Sequence, residues 1–280
     1  MAAINIQQIF YDSASQAMLD GGFNPLDNSA NPRPDWYEFY PILNYLRQNA
    51  LEENTWYGFL SPKFGMKTGL TSQIVRDVLT AHDAHADVAL FSTAWDQIAF
   101  FENQFEQGEF WHPGISRAAQ DFFDAINEPI QLNQLVTHSL TSVFSNFVIA
   151  KASYWRAWHA LAEQLWEYTE AATPNSSIIA LTNYATETKH TPMKVFVQER
   201  LAPVVLSKNQ FRTITLDISA NAPIWDRMFA PHPTTRRSLQ ACDLLKQKYT
   251  QTGDRTFLEA FRKLRQTIPL VPGVVLPARP

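Results

Sequence analysis

One segment constrains the fold more than any other, the run Ala86-Asp-Val-Ala-Leu-Phe-Ser. It is short, almost continuously apolar and bounded by polar residues, as inner strands of parallel sheets are, because both faces of such strands are buried. The run therefore predicts an inner strand of a mostly parallel sheet. Ligands of open α/β sheets bind beyond the carboxyl ends of the strands. Asp96, which follows this strand closely, is therefore a candidate site residue, although a carboxylate there also suits a helix N-cap.

Strand-like and helix-like patterns alternate along the rest of the chain, which is the order of an α/β fold. The sequence predicts a mixed, mostly parallel sheet flanked by helices over residues 1–220, followed by a helical C-terminal extension over 221–280 that packs on it and ends in a Pro-rich tail. The predicted strands are 4–11, 55–60, 86–92, 140–150, 177–181 and 211–218. The predicted helices are 36–49, 71–82, 96–107, 116–126, 153–172, 195–206, 238–248 and 256–266.

Composition excludes several classes of protein. A hydrophobic content of 45% in 280 residues is enough for a substantial core, and a net charge of −4 argues against a nucleic-acid binder. One cysteine, Cys242, excludes an intramolecular disulfide and a cysteine-rich zinc site. We expect a cytoplasmic protein, because the chain begins without a signal-peptide pattern and contains no apolar run of about 18 residues. Peripheral association with a membrane is left open.

The common catalytic motifs are absent. The chain contains no Gly-x-Gly-x-x-Gly, no P-loop, no Gly-x-Ser-x-Gly and no His-Glu-x-x-His. The segment His82-Asp-Ala-His-Ala-Asp87 has the spacing of metal ligands on a helix, but it also suits a polar connection between a helix and a strand. The Trp-rich stretch 154–166 favours core packing over stacking on sugar rings.

Six further segments occur in an order that resembles a known family. They are Leu26-Asp-Asn-Ser-Ala-Asn-Pro-Arg-Pro-Asp-Trp-Tyr-Glu-Phe, Tyr57-Gly-Phe-Leu-Ser-Pro-Lys-Phe, Ala86-Asp-Val-Ala-Leu-Phe-Ser, Glu102-Asn-Gln-Phe-Glu-Gln-Gly-Glu-Phe-Trp-His-Pro-Gly, Ser145-Asn-Phe-Val-Ile-Ala-Lys-Ala-Ser-Tyr-Trp and Val195-Phe-Val-Gln-Glu-Arg-Leu. Over about residues 4–218 the chain resembles uncharacterised bacterial glycosyltransferase-like proteins of polysaccharide biosynthesis. The resemblance implies the GT-A (nucleotide-diphospho-sugar transferase) fold.

The resemblance also implies roles for particular residues. It places four polar residues against the nucleotide or sugar and one lysine against the diphosphate: Asp27, Asn28, Asn31 and Glu38, and Lys63. It places Asn146 and Lys151 beside a sugar, and it makes Glu199 the candidate base and His112 a catalytic or donor-contacting residue. Structural roles remain open for each of them, such as an Asx turn at Asp27 and Asn28, a solvated charge at Lys151, a Glu199–Arg200 pair, or a turn histidine packed on Trp111.

One departure from the family bears on metal binding. GT-A enzymes usually hold the sugar diphosphate through a metal at an Asp-x-Asp after a central strand, whereas this chain has Phe91-Ser-Thr-Ala-Trp-Asp96 there. Either Asp96 works with a distant ligand, or the role of a manganese or magnesium ion is lost. We expect weak or absent manganese binding without nucleotide, since a hard divalent ion requires several oxygen ligands.

Two functions follow from these observations. The first is transfer of a sugar from a nucleotide-sugar donor to a glycan or lipid-linked acceptor in bacterial surface polysaccharide biosynthesis. The alternative is a non-catalytic protein that retains the sugar-nucleotide fold and binds a glycan or a partner. The missing Asp-x-Asp favours the alternative, and the Asp, Asn, Lys, His and Glu residues at predicted loop ends favour the enzyme.

Overall fold

A computed structural model gives the fold and describes residues 2–184, 186–220, 222–224 and 227–276; the side chains of 183, 184 and 186–189 lie outside the description. The strands are β1 (Ala3–Phe10), β2 (Asn24–Asp27), β3 (Thr55–Leu60), β4 (Val88–Leu90), β5 (Val148–Ala150), β6 (Leu181–Tyr184), β7 (Thr186–Pro192) and β8 (Thr213–Thr215). The helices are α1 (Ser13–Gln16), α2 (Phe39–Gln48), α3 (Phe64–Thr68), α4 (Ser72–His82), α5 (Trp95–Phe100), α6 (Gln104–Trp111), α7 (Ile115–Ala125), α8 (Ala152–Glu170), α9 (Lys194–Gln198), α10 (Leu201–Lys208), α11 (Thr235–Thr252) and α12 (Arg255–Gln266).

Six strands form one sheet in the order β2-β1-β3-β5-β4-β8. Neighbouring strands run parallel except that β5 runs antiparallel to both β3 and β4. The predicted α/β class with a mixed, mostly parallel sheet flanked by helices is confirmed. So is the inner position of β4, whose three residues are all buried between β5 and β8. Strands β6 and β7 pair separately as an antiparallel hairpin.

Helices cover the sheet with their apolar sides. Helix α2 buries Phe39, Ile42, Leu43 and Leu46, which recur at the spacing of one helical face. The long helix α8 packs against β3, β5 and α2. Its buried Trp155 donates its indole N–H to the carbonyl oxygen of Tyr57 at 2.9 Å. The Trp-rich stretch therefore belongs to the main core, as its helical spacing predicts.

The C-terminal helices share a second core with the middle of the chain. Helices α11 and α12 pack on each other and α11 packs on α5. Phe100 and Phe101 from the α5 segment join Cys242 and Phe261 in this core. Two ion pairs, Glu102–Arg262 at 2.8 Å and Glu106–Arg265 at 2.9 Å, hold α12 against the segment that enters α6. No helix in the described part of the chain is both long and apolar enough to cross a membrane.

Candidate functional site

Five strands point their carboxyl ends toward the same side of the sheet, here called the carboxyl edge. It is formed by the ends of β1, β2, β3, β4 and β8 and by the start of the reversed strand β5. The loops that leave these strands carry polar side chains, while the strands themselves are mostly apolar. In open α/β sheets this edge is where ligands bind.

The backbone is strained along this edge. Six non-glycine residues among those described have a positive φ, a conformation that costs an ordinary residue about 1–2 kcal/mol. Five of them lie in loops that leave or enter the sheet there: Asn31 at 37°, Tyr37 at 50°, Ala94 at 53°, Ser145 at 60° and Asn146 at 55°. Strain of this kind concentrates at functional sites, where the surrounding structure holds side chains in fixed positions.

Glu199 lies in the turn between α9 and α10. Its side chain is half-buried, and no described residue donates a hydrogen bond to its carboxylate. Burial raises the pKa of Glu199, the positive charge of Arg200 opposes that rise, and the charge of Glu38 adds to it. A carboxyl group surrounded by protein yet still reached by solvent is suited to accepting a proton from a bound ligand.

Glu38 places a second carboxylate near Glu199. It precedes α2, and its negative charge raises the pKa of both Glu199 and Tyr11. Burial is the larger cause at Tyr11, which follows β1 and is 37% exposed. Glu38 therefore connects the end of β1 electrostatically with the turn that carries Glu199.

A cation and an amide border the same region. Lys67 on α3 lowers the pKa of Glu199 and donates a hydrogen bond to the Ser145 hydroxyl at 3.1 Å. Asn146 donates to the side-chain oxygen of Gln198 at 3.2 Å. Its own side-chain oxygen is buried and has no hydrogen-bond partner. The start of β5 is thus held against both α3 and the end of α9.

The end of β2 carries the predicted polar group. Asn28 continues the ladder by donating its backbone N–H to Phe10 at 2.8 Å, and its side chain lies 3.4 Å from the Asn31 side-chain oxygen. The exposed Asp27 accepts the Ser29 backbone N–H at 2.8 Å, which lowers the pKa of Asp27. These residues lie on the carboxyl edge and also form the Asx turn that was the structural alternative.

Helix α3 begins directly after β3 at this edge. Lys63 caps its start, and Lys67 follows one helical turn later with its amino group over the Phe147 ring at 5.7 Å. Residues four apart lie on one face of a helix, so the two lysines form a positive strip. Both side chains are exposed.

His112 lies next to the turn that carries Glu199 and is connected to that turn through Phe196. Its ring stacks on Phe196 with centroids 3.5 Å apart, and its backbone N–H ends α6 by bonding to Gly108 at 2.7 Å. Phe196 precedes Glu199 by three residues and so lies on the same side of that turn. His112 therefore packs on Phe196, and a catalytic role for it stays a prediction.

Lys151 is not brought together with the other predicted residues. It follows β5, and because that strand is reversed its end lies at the opposite edge of the sheet. Its amino group donates to the Asp83 backbone oxygen at 2.7 Å and lies 5.2 Å from the Trp56 ring centre. The Asp83 carboxylate accepts the Trp56 indole N–H at 2.8 Å.

The predicted metal-like segment 82–87 lies at that opposite edge as well. The rings of His82 and His85 meet edge to face with their centres 5.5 Å apart, and Asp87 pairs with Arg212 at 2.7 Å. In the described ranges of the chain, no group of three or more His, Cys, Asp or Glu side chains is arranged to hold a metal ion. This segment is therefore a polar connection between α4 and β4, which was the simpler interpretation of the sequence.

Asp96 lies at the carboxyl end of β4, as predicted, in the first turn of α5. Its side chain is 1% exposed and accepts the Gln97 backbone N–H at 3.0 Å. A single buried carboxylate does not by itself supply the oxygen ligands that a divalent ion requires. The residues described here therefore do not make a protein-only metal site, and metal binding through Asp96 stays a prediction.

A cavity of about 1020 Å³ opens beside these residues and is here called the edge cavity. Its walls come from α3, from the loop after β4 and from the segment after β8, represented by Lys67, Thr93, Trp95, Asp96 and Leu216. The volume is at the upper end of the range of about 300–1,000 Å³ that is typical of small-molecule sites. The carboxyl edge thus has room for a ligand next to a lysine.

Three residues near Glu38 and Glu199 at the carboxyl edge were not identified from the sequence: Tyr11, Lys67 and Gln198. Lys67 had a signal, because it follows Lys63 by four residues in a segment that was interpreted as a loop rather than a helix. Tyr11 and Gln198 had none, since a residue's position at the end of a strand or beside another segment depends on the tertiary fold.

The chain matches no family model, no curated protein and no solved structure.

Proposed function

We propose that this protein is a glycosyltransferase of the GT-A type, which moves a sugar from a nucleotide-sugar donor to a glycan or lipid-linked acceptor in bacterial surface polysaccharide biosynthesis. One observation carries the proposal. Glu199 has a raised pKa, has no hydrogen-bond donor among the described residues and lies within electrostatic range of Glu38 and Lys67 at the carboxyl edge. Sugar transfer requires a base, a cation and space for the ligands; Lys67 lines the edge cavity, whereas Glu199 is not among its lining residues.

The sheet supports the proposed fold type without deciding it. A mixed sheet with one reversed inner strand is consistent with the sheet that the family resemblance implies. Many activities occur on α/β sheets, so the site, and not the sheet, supports transfer.

The donor is assigned by charge. Lys63 and Lys67 would face the diphosphate, whose negative charge increases as the bond to the sugar breaks. Asp27 and Asn28 at the end of β2 would face the nucleoside, because carboxylate and amide groups bond ribose hydroxyls and base edges. Lys151 has no place in this arrangement, since it lies at the other edge of the sheet.

The reaction itself would need a base at the acceptor. Glu199 would accept the proton of the acceptor hydroxyl as its oxygen bonds to the anomeric carbon, while the bond from that carbon to the diphosphate oxygen breaks. The raised pKa of Glu199 makes the carboxylate a stronger base than an exposed glutamate. A divalent ion has no step in this scheme.

A second function is favoured by one specific observation. Asp96 follows β4 without the second carboxylate of an Asp-x-Asp, and the described residues contain no metal-binding group. A protein that has lost the metal role could retain sugar binding without transfer. It would then bind a glycan or a partner through the same edge.

A thermal-shift screen with UDP-, GDP- and CMP-sugars, with and without manganese, tests for the donor, because ligands that bind the native state raise the melting temperature. We expect one nucleotide class to stabilise the protein and to release free nucleotide when incubated with an acceptor preparation. Lys67→Gln should weaken that donor's binding by about tenfold, whereas Lys263→Gln on the exposed side of α12 should not change it. Stabilisation without any nucleotide release would favour the binding protein, and no stabilisation by any donor would exclude the transferase.

A further inference from the structure

A second cavity of about 450 Å³, here called the α11 cavity, adjoins the edge cavity. The two share the wall formed by Ser92, Trp95 and residues 216–218. A ligand that extends past this wall would therefore reach from the α11 cavity into the space beside Lys67. None of the residues assigned above to the donor lines the α11 cavity.

One face of α11 forms the polar side of this cavity. Gln240, Asp243, Leu244 and Gln247 are spaced by three and four residues, so they project from the same side of the helix. Each glutamine uses its N–H group within the protein, Gln240 to the Ser219 hydroxyl at 3.1 Å and Gln247 to Asp243 at 2.8 Å. Their side-chain carbonyl oxygens accept no hydrogen bond from the described residues and are able to accept from ligand hydroxyls.

Other lining residues of the cavity are apolar. They are Trp95, Ile98, Leu140, Leu216 and Ile218; Trp95 is 9% exposed, and the Arg236 guanidinium lies over its ring at 5.3 Å. A sugar ring has an apolar C–H face and a rim of hydroxyl groups. A cavity lined by apolar side chains and by amides is complementary to both.

The charge of the cavity limits which sugars fit. Asp217 and Asp243 line it, and none of the described lining residues is a lysine or an arginine. The Asp243 carboxylate already accepts the Ser139 hydroxyl at 2.6 Å and the Ser139 backbone N–H at 2.9 Å. A sugar with its own carboxylate would be repelled by these two carboxylates, and Arg236, which lies outside the lining over the Trp95 ring, already donates to the Ser219 and Ala222 backbone oxygens; a neutral sugar would not be repelled.

We propose that the α11 cavity binds neutral sugar units of the acceptor glycan, with the apolar lining around Trp95 against the C–H face of the sugar and Gln240 and Gln247 as hydroxyl acceptors. The proposal rests on the transferase function above only in that it calls the bound glycan an acceptor. Sugar binding itself can be measured without turnover.

Saturation-transfer NMR with cellobiose, maltose and lactose, and with glucose against glucuronate, tests this on the full chain. Leu244→Trp narrows the cavity mouth and should be tolerated because Leu244 is 58% exposed. Gln251→Trp places the same ring at an exposed position of α11 outside the cavity. We expect at least one neutral disaccharide to bind the wild type and Gln251→Trp with equal affinity. The same disaccharide should bind Leu244→Trp at least about tenfold more weakly.

Three results would overturn the proposal: no neutral sugar binds, Leu244→Trp leaves binding unchanged, or glucuronate binds as well as glucose. Nucleotide release from the donor is measured on the same samples. Release without sugar binding removes only the sugar site. Sugar binding without release under any donor retains the cavity as a glycan site and removes the transferase function.

Discussion

At the scale of single residues, Glu199 and Arg200 have different surroundings although they are neighbours in the chain. Arg200 is 4% exposed and donates to the Gln104 and Phe196 backbone oxygens at 2.8 Å and to the Gln107 side chain at 2.9 Å. Burial lowers the pKa of Arg200 to about 10. Because protein oxygens already satisfy this guanidinium, the Glu199 carboxylate is not required as its hydrogen-bond partner. The alternative role of Glu199, a structural pair with Arg200, therefore consists of electrostatic attraction without a hydrogen bond.

His138 gives the molecule a dependence on pH that is separate from the site. It is 5% exposed, its Nδ1 accepts the Leu140 N–H at 3.3 Å, and Nε2 lies 2.9 Å from the Thr250 hydroxyl. Burial lowers the pKa of His138 to about 4 from 6.5; Asp243 opposes this shift and Lys246 adds to it. The unfolded chain therefore binds more protons between these two values, so the stabilising effect is present above pH 6.5 and is lost as the pH falls toward 4.

Urea unfolding at pH 7 and pH 5 measures this effect. We expect the wild type to lose about 2 kcal/mol more of its unfolding free energy over this interval than His138→Gln does, because the variant has no imidazole to protonate. Equal losses in the two proteins would show that His138 titrates normally in the folded state.

At the scale of elements, the approach of α6 to Arg200 depends on Gly108. A Cβ at this position would lie 2.9 Å from the Ile115 Cγ2 and 3.0 Å from the Arg200 Nε. We expect Gly108→Ala to lower the unfolding free energy by about 1–3 kcal/mol, the usual cost of overpacking. Gly65→Ala is the control, since its Cβ would only touch the Leu70 oxygen at 3.5 Å and α3 should gain up to about 1 kcal/mol in helix propensity. Thermal unfolding of both variants checks this, and a neutral Gly108→Ala would contradict the packing described.

Strands and helices with a clear period were predictable from the sequence, and segments with local backbone constraints were not. The run at 86–92 became the inner strand β4. Of the predicted strand 140–150 only Val148–Ala150 is extended, because Ser145 and Asn146 just before it adopt positive φ. The predicted helix 195–206 is two helices, and Pro203 is tolerated because it lies in the first turn of the second.

The part of the candidate site that depends on strand ends was predictable, as at Asn28 after β2 and Asp96 after β4. Glu38 and Glu199 lie beside helices and were named through the family resemblance, and the structure brings them within electrostatic range of each other. Lys151 was assigned to the same site, but the direction of β5 cannot be read from its apolar pattern, and the reversal moves Lys151 to the other edge. Lys67 was missed because the short helix α3 has no periodic pattern long enough to identify.

At the scale of the whole molecule, the C-terminal helices are held to the sheet domain by charge as well as by the second core. Glu106 and Arg265 are each 11% exposed and pair at 2.9 Å. We expect Arg265→Met to cost about 3 kcal/mol, because it leaves a nearly buried carboxylate without its partner. Arg156→Met breaks a pair whose members are 52% and 67% exposed, so it should cost less than about 1 kcal/mol. Equal costs in chemical denaturation would contradict the docking of α12 through this pair.

The whole arrangement places the loops of the carboxyl edge between the α/β layers and the C-terminal helices. The edge cavity and the α11 cavity open on either side of the segment that follows β8. A donor at the edge and an acceptor along α11 would be neighbours at Trp95, which lines both cavities; Glu199 lines neither, and it lies within electrostatic range of Lys67, which lines the edge cavity. Sugar transfer at this edge therefore depends most on whether Glu199 acts as a base.

The rate of sugar transfer by Glu199→Gln tests that claim most directly, with Glu259→Gln on an exposed position of α12 as the control. The amide retains the shape of the side chain but cannot accept the proton. We expect the variant to unfold at the wild-type temperature, to bind the donor normally and to lose roughly 10²-fold or more in transfer rate, the usual contribution of a general base. The wild-type rate should rise with pH as Glu199 ionises. Because the pKa of Glu199 is raised, this rise should occur at a higher pH than the ionisation of an ordinary glutamate. A stable Glu199→Gln protein with undiminished transfer and an unchanged pH profile would contradict the account.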